Sequence, residues 1–145
     1  MTMARSRTFW QLGAAVSLTG AVAWMLAPTY RMTWAALTDP NPVSLHSWLD
    51  PLVWGYGGFH APVTVLCGVV AAIGAWIGVF SRRVNRFPAW WALAGALVFV
   101  SWAAVLGHID ALQVVPLLLL AAGAAGCLMA AHRALPDLVS GPAAR

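Results

Sequence analysis

The sequence contains no lysine and no glutamate, and charged residues make up only 8% of its 145 residues. Soluble domains carry about 25% charged residues, so a chain this poor in charge cannot cover a water-facing surface. Hydrophobic residues make up 61% of the chain. This composition excludes an ordinary soluble domain and predicts that lipid covers much of the folded protein.

Sequence motifs for catalysis or cofactor binding are also missing. The chain has no Walker motif, no GxSxG, no HExxH and no CxxC, which are the patterns typical of phosphate binding, serine esterases and metal sites. Its two cysteines, Cys67 and Cys127, are expected at membrane depths that differ by roughly 12 Å. A disulfide needs Cα atoms within about 7 Å. We therefore expect no disulfide, no cofactor and no catalytic residue.

Four apolar runs approach or exceed the roughly 20 residues that a membrane-spanning helix needs. They cover residues 9–28, 59–80, 88–107 and 111–131, and none contains Arg, Lys, Asp or Glu. The sequence thus predicts an all-α integral membrane protein, a single domain with four transmembrane helices. The links 81–87 and 108–110 are short, which makes the helices on either side of each link antiparallel neighbours.

The arginines predict the direction of the spans. Seven of the eight precede the first run, lie between the second and third, or follow the fourth, and only Arg31 lies on the other side. The positive-inside rule then places segments 1–8, 81–87 and 132–145 in the cytoplasm of a bacterial inner membrane. The first run also resembles a signal peptide, but its length favours a retained helix. Because the arginines lie at the ends of apolar runs, no nucleic-acid partner is expected.

The outer loop, residues 29–58, is rich in aromatic residues and is expected to be ordered. A turn signal, Asp39-Pro40-Asn41-Pro42, divides it. Beyond the turn, Leu45, Trp48, Leu49 and Leu52 recur at helical spacing, which predicts a short amphipathic helix lying in the outer membrane interface. Because the pair Asp50-Pro51 is typical of a helix start, the segment is expected to be either one kinked helix or a short turn followed by a second short helix that begins at Asp50.

Small residues suggest where helices approach closely. Gly74 and Gly78 form a GxxxG pattern, which lets helix backbones come near each other. The pair can face either a neighbouring helix of the same bundle or a different protein. The expected contact surface towards membrane or partner comprises Trp34, Leu45, Trp48, Leu49, Leu52, Trp54, Gly74 and Gly78.

Histidines and aspartates near the outer face offer one chemical hypothesis. His46, His60 and His108 are expected there, together with Asp50 and Asp110. Imidazole and carboxylate suit zinc or copper, and two histidines can ligate a haem. The other interpretation is that these residues anchor or cap helices at the interface. Since spacing alone does not bring them together, the sequence favours anchoring and capping over a metal or haem site.

The spans carry no ionisable group at mid-depth, whereas ion and proton pathways usually need one. The sequence therefore favours a non-catalytic accessory subunit that packs against a larger integral membrane complex, such as a lipid transporter or a respiratory complex. Its expected partners are that complex and the lipid bilayer. Two alternatives stay open: a metal- or haem-dependent redox protein that uses the outer histidines, and a small carrier or channel with an uncharged path.

Overall fold

Each apolar run forms a helix, because only intrahelical hydrogen bonds satisfy the backbone where water is absent. A computed structural model describes the backbone of residues 3–34, 40–50, 58–107 and 109–139, with side chains from 6 to 134 within those ranges. In this part of the chain all four predicted spans are long and apolar enough to cross a membrane, which confirms the predicted four-span helical architecture. The helices are α1 (Met3–Leu26), α2 (His60–Ser81), α3 (Phe87–Leu106) and α4 (Ala111–Val139).

Two helices extend further than the apolar runs. Helix α1 begins at Met3, within the expected cytoplasmic segment, and α4 continues to Val139, past the expected boundary at residue 131. Hydropathy marks only the apolar part of a helix, and both helices continue through flanks that contain arginine, Arg5 and Arg7 in α1 and Arg133 in α4. Helix α3 ends sharply at Gly107, whose positive φ of 68° forms a left-handed cap.

The outer loop contains a β-hairpin where the sequence predicted only helix. Strand β1 (Tyr30–Thr33) pairs antiparallel with β2 (Val43–His46), and Tyr30 lies opposite His46. Leu45, the first residue of the expected amphipathic helix, is therefore in a strand. Its side chain and that of Val43 are exposed, whereas Ser44 and His46 on the other face are half-buried. The alternation of faces along a strand explains this pattern.

The helices form a ring in which α1 contacts α2 and α4, and α3 also contacts α2 and α4. At the end that carries β1 and β2, which we call the hairpin end, Arg31 pairs with Asp110 at 3.1 Å. The opposite end, the arginine end, contains the side chains of Arg7, Arg82, Arg83, Arg86 and Arg133. There the Arg133 guanidinium lies 5.8 Å from the centre of the Trp10 ring. All described arginines except Arg31 thus share one end of the bundle.

Small residues let the helices pack backbone against backbone. A Cβ atom added to Gly126 of α4 would lie 3.0 Å from Ala14 Cβ and 3.2 Å from the Trp10 carbonyl oxygen of α1. A Cβ on Gly95 of α3 would lie 2.8 Å from Cys67 Cβ of α2. Close contacts between small residues commonly hold helices together in membranes. Lipid is as apolar as the helix surfaces, so no hydrophobic force drives the helices together.

Gly74 and Gly78 contact the chain's own residues. A Cβ on Gly74 would lie 3.1 Å from Pro88 at the start of α3, and one on Gly78 would lie 3.2 Å from the Arg83 carbonyl oxygen. Gln11 of α1 donates to that same carbonyl oxygen at 3.0 Å. Of the two possibilities left open by the sequence, the structure thus shows contacts within the bundle for this pair.

We expect Gly123→Ala to destabilise the bundle, because its Cβ would lie 2.5 Å from Leu18 Cγ. Overpacking of this kind costs about 1–3 kcal/mol. Gly13→Ala is the matched control, since nothing lies within 4 Å of its Cβ, and it should gain up to about 1 kcal/mol from helix propensity. Thermal unfolding of both variants in one detergent measures the difference. Equal melting temperatures for the two variants would contradict the close α1–α4 contact.

Candidate functional site

Trp48 closes the hairpin end of the bundle. Its side chain is fully buried, with the ring 4.6 Å from Phe99 of α3 and 5.7 Å from Tyr30 of β1. Its backbone N–H donates to the Met25 carbonyl oxygen of α1 at 3.0 Å. The sequence placed this tryptophan on a surface facing membrane or partner. The structure differs because the chain turns after β2 and directs the indole inward.

His60, the first residue of α2, lies in the same aromatic cluster. Its Nε2 atom is 3.1 Å from the Tyr30 hydroxyl, and its ring stacks on Trp102 at 5.3 Å. Its Nδ1 atom is buried without a hydrogen-bond partner among the described residues, as is Trp48 Nε1. Burial also raises the pKa of Tyr30, so the phenol keeps its proton. His60 thus anchors the hairpin to α2.

A second polar group lies on the hairpin itself. Ser44 Oγ is 2.7 Å from His46 Nε2, and His46 Nδ1 is 3.2 Å from Asp50 Oδ2. Trp34 Nε1 donates to Ser44 Oγ at 2.6 Å. Ser44 and His46 share a face because they are two residues apart in β2, and the turn after the strand brings Asp50 back. We call Ser44, His46 and Asp50 the loop triad.

The carboxylate of the loop triad is held by the turn. Ser47 donates its backbone N–H to Asp50 Oδ2 at 2.9 Å and its hydroxyl to Oδ1 at 2.8 Å, while the Leu49 N–H donates to Ser47 Oγ at 3.3 Å. This pattern resembles a capping box with aspartate in the acidic position, except that Ser47 Oγ accepts from the N–H of Leu49 rather than from that of Asp50. The hydrogen bond from the Ser47 hydroxyl, helped by the Ser47 N–H and His46, lowers the pKa of Asp50. Asp50 is therefore ionised at neutral pH.

Asp110 caps a helix. Its Oδ1 accepts from the Leu112 N–H at 3.0 Å, and its own N–H donates to Gln113 Oε1 at 3.1 Å. The same carboxylate pairs with Arg31 of β1 at 3.1 Å. The residue thus starts α4 and ties the hairpin to it, which agrees with the capping interpretation.

The structure brings only some of the candidate residues together. His46 meets Asp50, although through a strand and a turn rather than through the helical spacing that suggested the pair. His60 contacts Tyr30, the cross-strand neighbour of His46. Within the described ranges, no three histidine, cysteine or acidic side chains are close enough to hold a metal ion. His108, Leu52 and Trp54 lie outside those ranges.

Of the remaining surface candidates, only Leu45 is exposed. Trp34 is half-buried and bonded to Ser44, and Leu49 is half-buried beside an apolar groove on α2. Sequence reasoning missed Ser44, Ser47 and Tyr30. The spacing Ser47-x-x-Asp50 was a readable capping signal, and Ser44-x-His46 fits one strand face. Nothing in the sequence pointed to Tyr30, whose role depends on contact with a residue 30 positions away.

Comparisons with protein-family models, with curated proteins and with solved structures find no match to this chain. No role can be carried over from a relative. The function is therefore inferred from the contacts, charges and surfaces of the chain's own residues.

We expect Trp48→Ala to destabilise the protein strongly, because it empties the centre of the aromatic cluster at the hairpin end. Replacing a buried Trp by Ala typically costs about 3–5 kcal/mol. Trp48→Phe is the matched control, since it keeps a ring against Phe99 and removes the unpaired indole N–H. Thermal unfolding in detergent compares the two. If Trp48→Phe lost as much thermal stability as Trp48→Ala, that result would contradict a role based on packing.

We expect the stability that Asp50 contributes to disappear in acid. Because the folded pKa is lowered, the contribution is fully present above the unfolded value of about 3.9 and is lost as the pH falls through the lower folded value. Melting temperatures of wild type and Asp50→Asn should differ at pH 7, differ equally at pH 5, and converge towards pH 3. Ser47→Ala should reproduce part of this effect. A difference that persists unchanged at pH 3 would contradict the ionised carboxylate.

Proposed function

We propose that this chain is a small accessory subunit that packs against a larger integral membrane complex of the bacterial inner membrane, with both termini in the cytoplasm. Support for the orientation comes from charge. The arginine end collects all described arginines except Arg31, and Arg31 is paired with Asp110. Basic residues concentrate on the cytoplasmic side of membrane proteins.

The tightly packed interior argues against a carrier or channel. Four polar side chains within the spans bond to a neighbouring helix: Ser17 to the Leu119 carbonyl oxygen, Trp24 to that of Leu112, Thr64 to that of Gly95, and Trp76 to Thr19. The cavity between Gln11, Gly78 and Cys127 measures about 10 Å³, roughly the space for one water. Trp48 fills the opposite end. A path through this interior would require the helices to separate.

The observation that best supports the proposal is the exposed apolar face formed by α2 and α3. Two apolar grooves of about 390 and 540 Å³ lie at its hairpin end, separated by a ridge of Phe59 and Val63 that lines both. Phe59 is 74% exposed. Only 28% of the apolar window of α3 is buried in the bundle. The side chains of a neighbouring helix can pack into the grooves on either side of such a ridge.

These surfaces favour a partner within the membrane. Among the described residues that line the grooves, apolar side chains predominate, and His60, Ser101 and the indole of Trp102 carry the polar atoms. An apolar, uncharged face selects a helix of another membrane protein rather than a soluble protein. Lipid transporters and respiratory complexes both offer such helices, and both remain within the proposal.

A photo-crosslinking residue in place of Phe59 should give one discrete adduct with a multi-pass membrane protein in the native membrane. The same residue in place of Phe9, which is 67% exposed on α1, is the matched control and should not give that adduct. Adducts are identified by mass spectrometry after purification in mild detergent. The proposal fails if Phe59 crosslinks only to a second copy of this chain, or if the chain purifies alone as a stable homo-oligomer.

Filling a groove should release the partner. Val98 lines the larger groove and is partly exposed, so Val98→Trp places an indole where the partner's side chains would lie without disturbing the core. We expect co-purification of the crosslinked protein to fall at least tenfold while the melting temperature of the chain stays unchanged. Undiminished co-purification would show that the partner binds elsewhere.

A further inference from the structure

We propose that the loop triad is a nucleophile, base and carboxylate that transfer the acyl group of a long-chain ester at the membrane surface carrying the hairpin. The expectation of a non-catalytic chain rests on sequence motifs and on the spans, whereas Ser44, His46 and Asp50 lie outside the spans. Their separations of 2.7 and 3.2 Å match the reach that a nucleophile, its base and an orienting group need. This activity is independent of the accessory role.

Asp50 and Trp34, at the two ends of the hydrogen-bonded chain, determine which atoms of the loop triad carry the protons. An ionised Asp50 only accepts hydrogen bonds, so the proton of a neutral His46 lies on Nδ1 and Nε2 accepts. Trp34 Nε1, which can only donate, occupies a lone pair of the Ser44 oxygen. The Ser44 hydroxyl proton is consequently directed at His46 Nε2. This is the tautomer and orientation that a general base requires.

The strand also supplies a donor for the oxyanion. The Trp34 N–H donates to the Pro42 carbonyl oxygen, and bonded and non-bonded pairs alternate along an antiparallel ladder. Ser44 is therefore in a bonded pair with Met32, and the N–H of Leu45 points away from β1. No strand pairs with that edge in the described part of the chain. The N–H that follows the nucleophile is a recurrent oxyanion donor in acyl transfer.

A groove beside the loop triad indicates the substrate class. Leu49, next to Asp50, lines the apolar groove of about 390 Å³ together with Phe59 and residues of α2 from Pro62 to Val69, about 10 Å of helix. That volume is in the range of about 300–1,000 Å³ typical of ligand pockets. Because Leu49 lies in the turn that holds Asp50, a hydrocarbon chain lying in the groove would bring its ester to the hairpin.

The reaction needs no co-reactant beyond an alcohol or water. Ser44 Oγ bonds to the ester carbonyl carbon while its proton passes to His46 Nε2. The carbonyl oxygen becomes an oxyanion opposite the Leu45 N–H, and the ester C–O bond then breaks as the leaving alkoxide takes the proton from His46. Water or an acceptor alcohol next gives its proton to His46 and attacks the acyl-serine carbon. Breaking the acyl bond to Ser44 returns the proton and restores the hydroxyl.

The test treats the full-length protein in detergent micelles with an alkyl fluorophosphonate, which reacts covalently with activated serines. We expect one adduct by intact mass, mapped to Ser44 by peptide sequencing, and slow hydrolysis of p-nitrophenyl octanoate. Ser44→Ala should abolish the adduct. Ser81→Ala is the matched control, since its hydroxyl bonds only to the Ile77 carbonyl oxygen of its own helix, and it should label fully.

The wild-type result decides the proposal without depending on any variant folding. Absence of an adduct at Ser44 in wild-type protein with an intact melting transition would overturn it, as would equal labelling of Ser44→Ala. His46→Gln should lower the labelling rate at least about 100-fold, the usual contribution of a general base.

Discussion

The insertion of Trp48 into the hairpin end is the contact on which the arrangement of the outer loop depends. The indole of Trp48 lies against Phe99, and the backbone N–H of Trp48 donates to the Met25 carbonyl oxygen of α1. A residue that is held by both its side chain and its backbone also restricts the positions of the residues next to it in the chain. The turn Ser47–Asp50 is thereby held against the bundle, and the carboxylate of Asp50 is presented to His46. Burying the indole without a partner for its N–H costs about 1–3 kcal/mol, which packing against the aromatic cluster must exceed.

Hydropathy was sufficient to predict the four spans, because covering apolar side chains with lipid is a local requirement that each run meets alone. The helices therefore match the predicted runs, apart from the extensions at the start of α1 and the end of α4. The orientation of Gly74 and Gly78 was not predictable. Their environment depends on Pro88 and the Arg83 carbonyl oxygen, which only the folded ring of helices brings near.

The start of the expected amphipathic helix, at Leu45 and His46, was mispredicted because the sequence there satisfies two periods at once. Leu45, Trp48 and Leu49 fit a helix, whereas Val43 and Leu45 alternate with Ser44 and His46 as in a strand. The residues themselves do not decide between these patterns. Pairing with Tyr30–Thr33 does, and that pairing joins residues at least ten positions apart in the chain. The His46–Asp50 contact was anticipated from a spacing that the structure does not use, so its geometry, including Ser44, could not follow from the sequence.

The two proposals place different demands on the same end of the bundle. A partner helix on the ridge of Phe59 would cover the groove that begins at Leu49, and an acyl chain in that groove would occupy part of the partner's surface. Because Phe59 and Val63 line both grooves, the two occupants can coexist only if the partner uses the α3 side and the acyl chain the Leu49 side. A partner seated this way would form the missing wall of the groove and shield the ester from water. Acyl transfer by the loop triad would then be faster in the assembled complex than in the isolated chain.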